Sequence, residues 1–292
     1  DAPVAVDDVL ATAEDTPISV SASALTGNDS DVEGSPLNIT AVGNATHGTV
    51  GLSRGLITFT PDANFSGTAS YEYTVSDGSL NDVGVVTVNV APINDAPQIT
   101  STAPSFTYTD TTADDGFAAA IYTASATDLD GNLLTWSIQS GTGGVSSLTG
   151  NFGTLAVLGS TFTYTPDDAA IEGLKSTAAE SFTLRVSDGN AILTQTLNIN
   201  IAGTNDPTVV TGNAAGNVGE DGILSTGGAL SIIDRDSGDT VIGVQSDTVG
   251  SFGRFSINAS GAWTYTLDNT APNVQALKPG QDATDSFTVS IA

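Results

Sequence analysis

Tyr71-Glu72-Tyr73-Thr74-Val75-Ser76-Asp77-Gly78 alternates apolar and polar residues and stops at an Asp-Gly pair. Period two is the pattern of a strand with one face on a core and one on water, and Asp-Gly is a favoured hairpin turn. Tyr71, Tyr73 and Val75 are therefore expected to face a sheet interior, with Glu72, Thr74 and Ser76 facing water. The stretch Leu56-Ile57-Thr58-Phe59-Thr60-Pro61-Asp62 lies just upstream and alternates in the same way.

This pair of stretches recurs. Phe162-Thr163-Tyr164-Thr165-Pro166-Asp167 precedes Phe182-Thr183-Leu184-Arg185-Val186-Ser187-Asp188-Gly189, and Trp263-Thr264-Tyr265-Thr266-Leu267-Asp268 precedes Phe287-Thr288-Val289-Ser290-Ile291. The copies are roughly 100 residues apart, longer than a solenoid repeat and typical of a whole β-sandwich. Between them lie Ile93-Asn94-Asp95-Ala96-Pro97 and Thr204-Asn205-Asp206-Pro207, each after an alternating run, and Asp1-Ala2-Pro3 matches their tails. The chain is accordingly expected to be an internal piece of something longer. Its expected fold is all-β: antiparallel β-sandwiches over residues 1–94, 95–205 and 206–292, set in an elongated row. The third is expected to lack its last strand and to leave an open edge. Only the Ala-rich stretch from Asp167 to Ala179 could hold a helical turn.

Composition narrows the function. Six Lys+Arg against 33 Asp+Glu give a net charge of −27, which disfavours nucleic acid and anionic membranes and favours divalent cations. With only 13% charged residues and long alternating runs, the acidity does not signal disorder. The absence of cysteine excludes disulfides and thiolate metal sites, so an extracellular chain of this kind needs another stabiliser, and bound ions are one. No apolar run is long enough to span a bilayer, and no membrane insertion is expected.

Each copy carries an acidic pair: Asp29-Ser30-Asp31, Asp128-Leu129-Asp130 and Asp234-Arg235-Asp236. Asp-x-Asp in a turn can aim two carboxylates at one ion, and Ca²⁺, which takes six to eight oxygens, must find the others elsewhere. The Asn-Asp stretches between copies supply candidates.

The set Glu-Asp, Asp-x-Asp, Ser-Asp-Gly and Asn-Asp-(Ala)-Pro resembles the cadherin-like repeat, and the Thr60–Gly67 and Trp263–Asn269 stretches are similar to bacterial cadherin-like and VCBS repeats. Such repeats occur in large surface adhesins exported by type I secretion, often with RTX repeats. The resemblance implies a cadherin-like or immunoglobulin-like sandwich, with calcium held where one repeat meets the next. Carried over, the first junction would use Glu14, Asn94 and Asp95 with Asp128, Asp130 and Asp188. The second would use Asn205, Asp206, Asp234 and Asp236, with Asp110, Asp114 and Asp115 competing for the remaining acidic place. Asp1, Asp29, Asp31 and Asp77 would form half a site at the N-terminal edge, and Glu220 would serve a junction beyond this segment. Asp62, Asp167 and Asp268 match the family's mid-repeat acidic motif only weakly, which leaves the ion count open.

The function implied is a calcium-rigidified extender of a bacterial surface adhesin, extracellular and monomeric. It would contact calcium and neighbouring repeats and project a distal ligand-binding region. The alternative is direct binding of a cell-surface glycan or protein by residues 95–205, through the 141–153 or 167–179 segments. An enzyme is not expected: the aspartates lie in solvated turns, and the single histidine, His47 in a Thr-His-Gly-Thr turn, has no partners for catalysis or zinc. Trp136 and Trp263 alternate with polar neighbours and are expected in cores.

Overall fold

The computed structural model describes residues 1–236, 238 and 240–291, and the final residue of the 206–292 segment lies outside them. Its regular structure is nearly all strand, and the chain divides into two compact units. One comprises Asp1–Gln98 with the loops Thr127–Leu134 and Asp188–Ile192; the other holds the remainder.

In the first unit, a four-stranded sheet runs in the order Asp8–Ala13, Asn81–Ala91, Gly67–Ser76, Asn38–Thr46. A three-stranded sheet, Ile18–Ser21, Leu56–Pro61 and Gly48–Ser53, completes the sandwich. The core holds Ile57, Phe59, Tyr71, Tyr73, Val75 and Val88, so the period-two reading of both stretches places its inward residues correctly. Ser76 departs from it. It is buried, because its hydroxyl donates to Leu80 O (3.0 Å) and accepts from Gly78 N (3.1 Å), closing the Asp-Gly turn from inside. Tyr73 fits because its cross-strand partner is Gly84: a Cβ there would stand 2.4 Å from the tyrosine Cζ.

Most pairing is antiparallel, but Asp8–Ala13 runs parallel to Asn81–Ala91, ending at Ala13↔Ala91. The second unit repeats the arrangement, with Ser105–Thr109 parallel to Ile192–Ala202 and ending at Ala202↔Thr109. A parallel neighbour requires a crossover rather than a hairpin, and here the rest of the sandwich supplies it.

The second unit contains a five-stranded sheet (Gly143–Val145, Thr135–Ser140, Ala178–Ser187, Ile192–Ala202, Ser105–Thr109) and a four-stranded one (Ala120–Thr123, Thr161–Pro166, Gly153–Leu158, Ser147–Thr149). Between them lies a core that includes Phe162, Tyr164 and Leu184, with Trp136 packed edge-on to Phe162. The expected helical turn is present as Asp168–Glu172, capped by Asp167, whose Oδ1 accepts from Ala170 N.

A further five-stranded sheet, Val209–Gly212, Ser225–Ile233, Ala262–Leu267, Gly253–Ile257 and Gln245–Val249, carries a smaller core around Ile242, Phe255, Ile257 and Trp263. Phe287-Thr288-Val289-Ser290-Ile291 is expected as a strand but makes only an isolated bridge, Ile242↔Ile291. Phe287 stacks on Phe255 with ring centroids 4.8 Å apart, and Phe287 and Val289 pack on the core.

Candidate metal centres

Parallel pairing is what builds the sites. Because the first strand ends level with the chain exit, the next residue is delivered to that exit. Glu14 N donates to Ala91 O (2.9 Å), and the Glu14 carboxylate in turn accepts Ile93 N. In the second unit Asp110 N donates to Ala202 O (2.9 Å), and Asp110 Oδ2 accepts Thr204 N (2.9 Å). Asp110 thus makes the same two backbone contacts as Glu14.

The first cluster lies wholly within the first unit. Asp130 Oδ2 accepts Asp95 N at 2.7 Å, and Asp128 Oδ1 accepts the amides of Asp130 and Asn132, both at 3.1 Å. Asp128 Oδ2 is buried without a hydrogen-bond partner. Asp188 divides its labour: Oδ1 closes its own turn by accepting Asn190 N and Ala191 N, while Oδ2 accepts Asn94 Nδ2 at 2.8 Å. Loss of hydration, and then the charges of Asp130, Glu14, Asp15 and Asp128, push the Asp95 carboxyl above its ordinary range. The Asn94 hydrogen bond and the Ala191 amide hold Asp188 below it.

The second cluster lies wholly within the second unit and repeats these contacts. Asp236 Oδ2 accepts Asp206 N (2.6 Å), Asp234 Oδ1 accepts Asp236 N (2.8 Å), and Asn205 Nδ2 donates to Asp206 O (2.9 Å), as Asn94 Nδ2 does to Asp95 O (2.9 Å). It is the drier of the two: Asp110, Asp206, Asp236 and Glu172 are only 1%, 2%, 2% and 7% exposed. Both carboxylate oxygens of Asp206, Asp110 Oδ1, Asp236 Oδ1 and Glu172 Oε2 are buried without hydrogen-bond partners. Burial, then Asp110 and Asp236, raise Asp206. Burial is likewise the leading cause of the rise in Glu172.

Glu172 has no counterpart in the sequence reading. The short helix Asp168–Glu172 presents it to Asp115, whose amide its Oε1 accepts at 2.9 Å. Oxygens of Asp110, Asp115 and Glu172 lie within 4.8 Å of one another, the one such acidic trio among the described residues. Asp114 is instead exposed, and among the described residues it reaches Arg235, at 3.8 Å.

At the N-terminal edge, Asp29 Oδ2 and Asp31 Oδ1 are likewise buried without hydrogen-bond partners. Asp31 and Asp77 lie in the field of the Asp1 amino group, which binds Glu33 Oε1 at 2.8 Å. The other oxygen of Asp29, Oδ1, accepts Val6 N (2.8 Å) and the Tyr73 hydroxyl (2.9 Å), a tie to the core. Asp167 and Asp268 serve as local caps, the latter accepting the Thr270 amide and hydroxyl. Glu220 is exposed.

Buried carboxylate oxygens without donors, gathered at a chain exit, offer the anionic oxygen ligands that a hard cation takes. The donor set, all oxygen and mostly anionic, fits Ca²⁺. These observations define a class: tandem Ig-like β-sandwiches whose chain exits are lined with carboxylates. The profile described as a bacterial Ig domain matches residues 1–89 and 94–200, and the chain belongs to that family. No curated protein matches.

Among solved structures, those the chain is similar to include the extracellular cadherin domains 3–6 of protocadherin gamma B2 (16% identity, 91% of this chain, 64% of that one, TM-score 0.44). The extracellular domain of protocadherin gamma B4 gives 13% identity over 94% of this chain and 45% of that one, with TM-score 0.41. An endo-fucoidan hydrolase of glycoside hydrolase family 107 gives 22% identity over 70% of this chain, with TM-score 0.28, and the chain spans 29% of its length.

Proposed function

We propose that the chain is a non-catalytic spacer segment of a bacterial cell-surface adhesin whose sandwiches, at residues 1–94, 95–205 and 206–292, are stiffened by calcium. The observation that carries this reading is the repetition of one hydrogen-bonding constellation at two chain exits, with one buried carboxylate oxygen left without a donor at the first and five at the second. Glu14, Asn94, Asp95, Asp128, Asp130 and Asp188 would hold calcium at the first; Asp110, Asp115, Glu172, Asn205, Asp206, Asp234 and Asp236 at the second. The ion supplies the positive charge that lets these carboxylates share one place. Without it they repel, and the exits loosen.

The adhesin context rests on the motif resemblance to bacterial cadherin-like and VCBS repeats, and the surface location follows from it. Among the described residues no helix is long and apolar enough to cross a membrane. Calorimetric titration of the chain with calcium, paired with solution scattering in calcium and in chelator, tests the proposal. Saturable binding that disappears in Asp130→Asn and Asp236→Asn, together with a longer particle in calcium, is expected. No binding and no change in length would end it, and glycan-array binding by the same chain would favour direct recognition instead.

A further inference from the structure

The two Asp-x-Asp loops make matching amide contacts but differ at their middle residue. In Asp128-Leu129-Asp130 it is an exposed leucine; in Asp234-Arg235-Asp236 it is a permanent cation. Arg235 Nε stands 3.8 Å from Glu172 Oε2, and its Nη2 stands 3.8 Å from Asp114 Oδ2. The first contact matters more, because Glu172 Oε2 is one of the buried oxygens without a hydrogen bond. At 3.8 Å the guanidinium neutralises without donating, so the oxygen keeps its lone pairs. The Arg235 charge also reaches Asp206, where it opposes the effect of Asp110 and Asp236.

We infer that Arg235 is a resident counter-cation of the second cluster, holding it together without calcium and lowering its calcium affinity below that of the leucine-bearing first cluster. The inference rests on the calcium reading above. A fixed positive charge beside a site built for a divalent cation has two opposed effects. It relieves repulsion among Asp110, Asp115, Glu172 and Asp206 when no ion is bound, and it repels the ion that arrives. Arg235 is 41% exposed, so its head can turn to water when calcium enters, at the loss of its contact with Glu172. The first cluster, with Leu129 in that place, has no such loop cation and should depend more steeply on calcium.

The test is Arg235→Leu, which copies the sister loop, beside Arg235→Lys, which keeps the charge. Calcium is titrated calorimetrically into the full chain, and the step belonging to the second cluster is identified as the one that Asp236→Asn abolishes. Arg235→Leu should tighten that step by roughly tenfold and leave the first cluster's step unchanged, while Arg235→Lys should stay within about threefold of the parent. In chelator Arg235→Leu should melt lower than the parent, and the gap should close in saturating calcium. An unchanged or weaker second step in Arg235→Leu would overturn the role given to Arg235 while leaving calcium binding intact. If Asp236→Asn removes no step from the parent or from Arg235→Leu, the calcium reading itself fails at this cluster, and the inference with it.

Discussion

Glu172→Gln separates the electrostatic account of the second cluster from a purely structural one. The substitution preserves shape, and a glutamine Oε1 can still accept the Asp115 amide, so what changes is one charge. Glu172 shares a space within 4.8 Å with carboxylate oxygens of Asp110 and Asp115, while the Arg235 guanidinium stands 3.8 Å away. At an effective dielectric near 20, each like-charged pair at that separation costs about 3.5 kcal/mol and the arginine returns about 4.4; in water the figures are about 0.9 and 1.1. The net repulsion relieved by the glutamine is then about 0.6–2.6 kcal/mol, which corresponds to a melting temperature higher by about 2–8 °C in chelator. In calcium the sign reverses, because an anionic ligand has been lost and affinity follows ligand charge: the midpoint should weaken by roughly tenfold or more. Thermal denaturation in chelator and in excess calcium reads both. A variant that melts lower in chelator and keeps the parent's calcium response would refute the reasoning and leave Glu172 as a structural acceptor for Asp115.

Further outcomes follow from the same geometry. The carboxyls of Asp8, Asp95, Asp206 and Glu172 lie above their ordinary range, so the folded state binds protons more readily than the unfolded chain. Calcium-free protein should therefore gain stability as the pH falls from neutral toward about 5. Asp77, Asp82, Asp188 and Asp268 lie below that range, so their contribution is lost as the pH falls below about 4; melting temperature against pH should pass through a mildly acidic maximum. Asp130→Ala removes the acceptor of the Asp95 amide and should cost about 0.5–1.5 kcal/mol while abolishing the first cluster's calcium step, with the circular dichroism of the strands unchanged. Gly84→Ala forces a methyl group against the Tyr73 ring and should destabilise the first sandwich by about 1–3 kcal/mol in urea unfolding, with or without calcium.

The sheets were open to reading because their signal is local. Period-two alternation at Tyr71–Val75 and Phe182–Val186 survives folding, since both strands keep one face on a core. The Asp-x-Asp and Asn-Asp pairs were legible for the same reason, each being a few residues long. What escaped depends on pairing distant in sequence. Asp110 could not be told from Asp114 and Asp115 by spacing, because only the parallel register against Ile192–Ala202 delivers it to the exit. A signal was nonetheless present: Asp110 follows an alternating run, Phe106-Thr107-Tyr108-Thr109, as Glu14 follows Val9–Ala13. Glu172 was hidden because a five-residue helix, not a strand, aims it. Ser76 went astray because it found a buried partner, a turn carbonyl, that outweighed water.

The parallel pairing of first and last strands has a mechanical consequence. In each of the first two sandwiches an early strand, Asp8–Ala13 or Ser105–Thr109, lies parallel to the strand by which the chain leaves, so pulling the two ends apart drags these strands lengthwise past each other. The registers Asp8↔Val86 to Ala13↔Ala91 and Asn198↔Ser105 to Ala202↔Thr109 then bear the load together, in shear, rather than opening one rung at a time from an end. Such a clamp places the resistance to rupture in the same strands whose ends present Glu14 and Asp110.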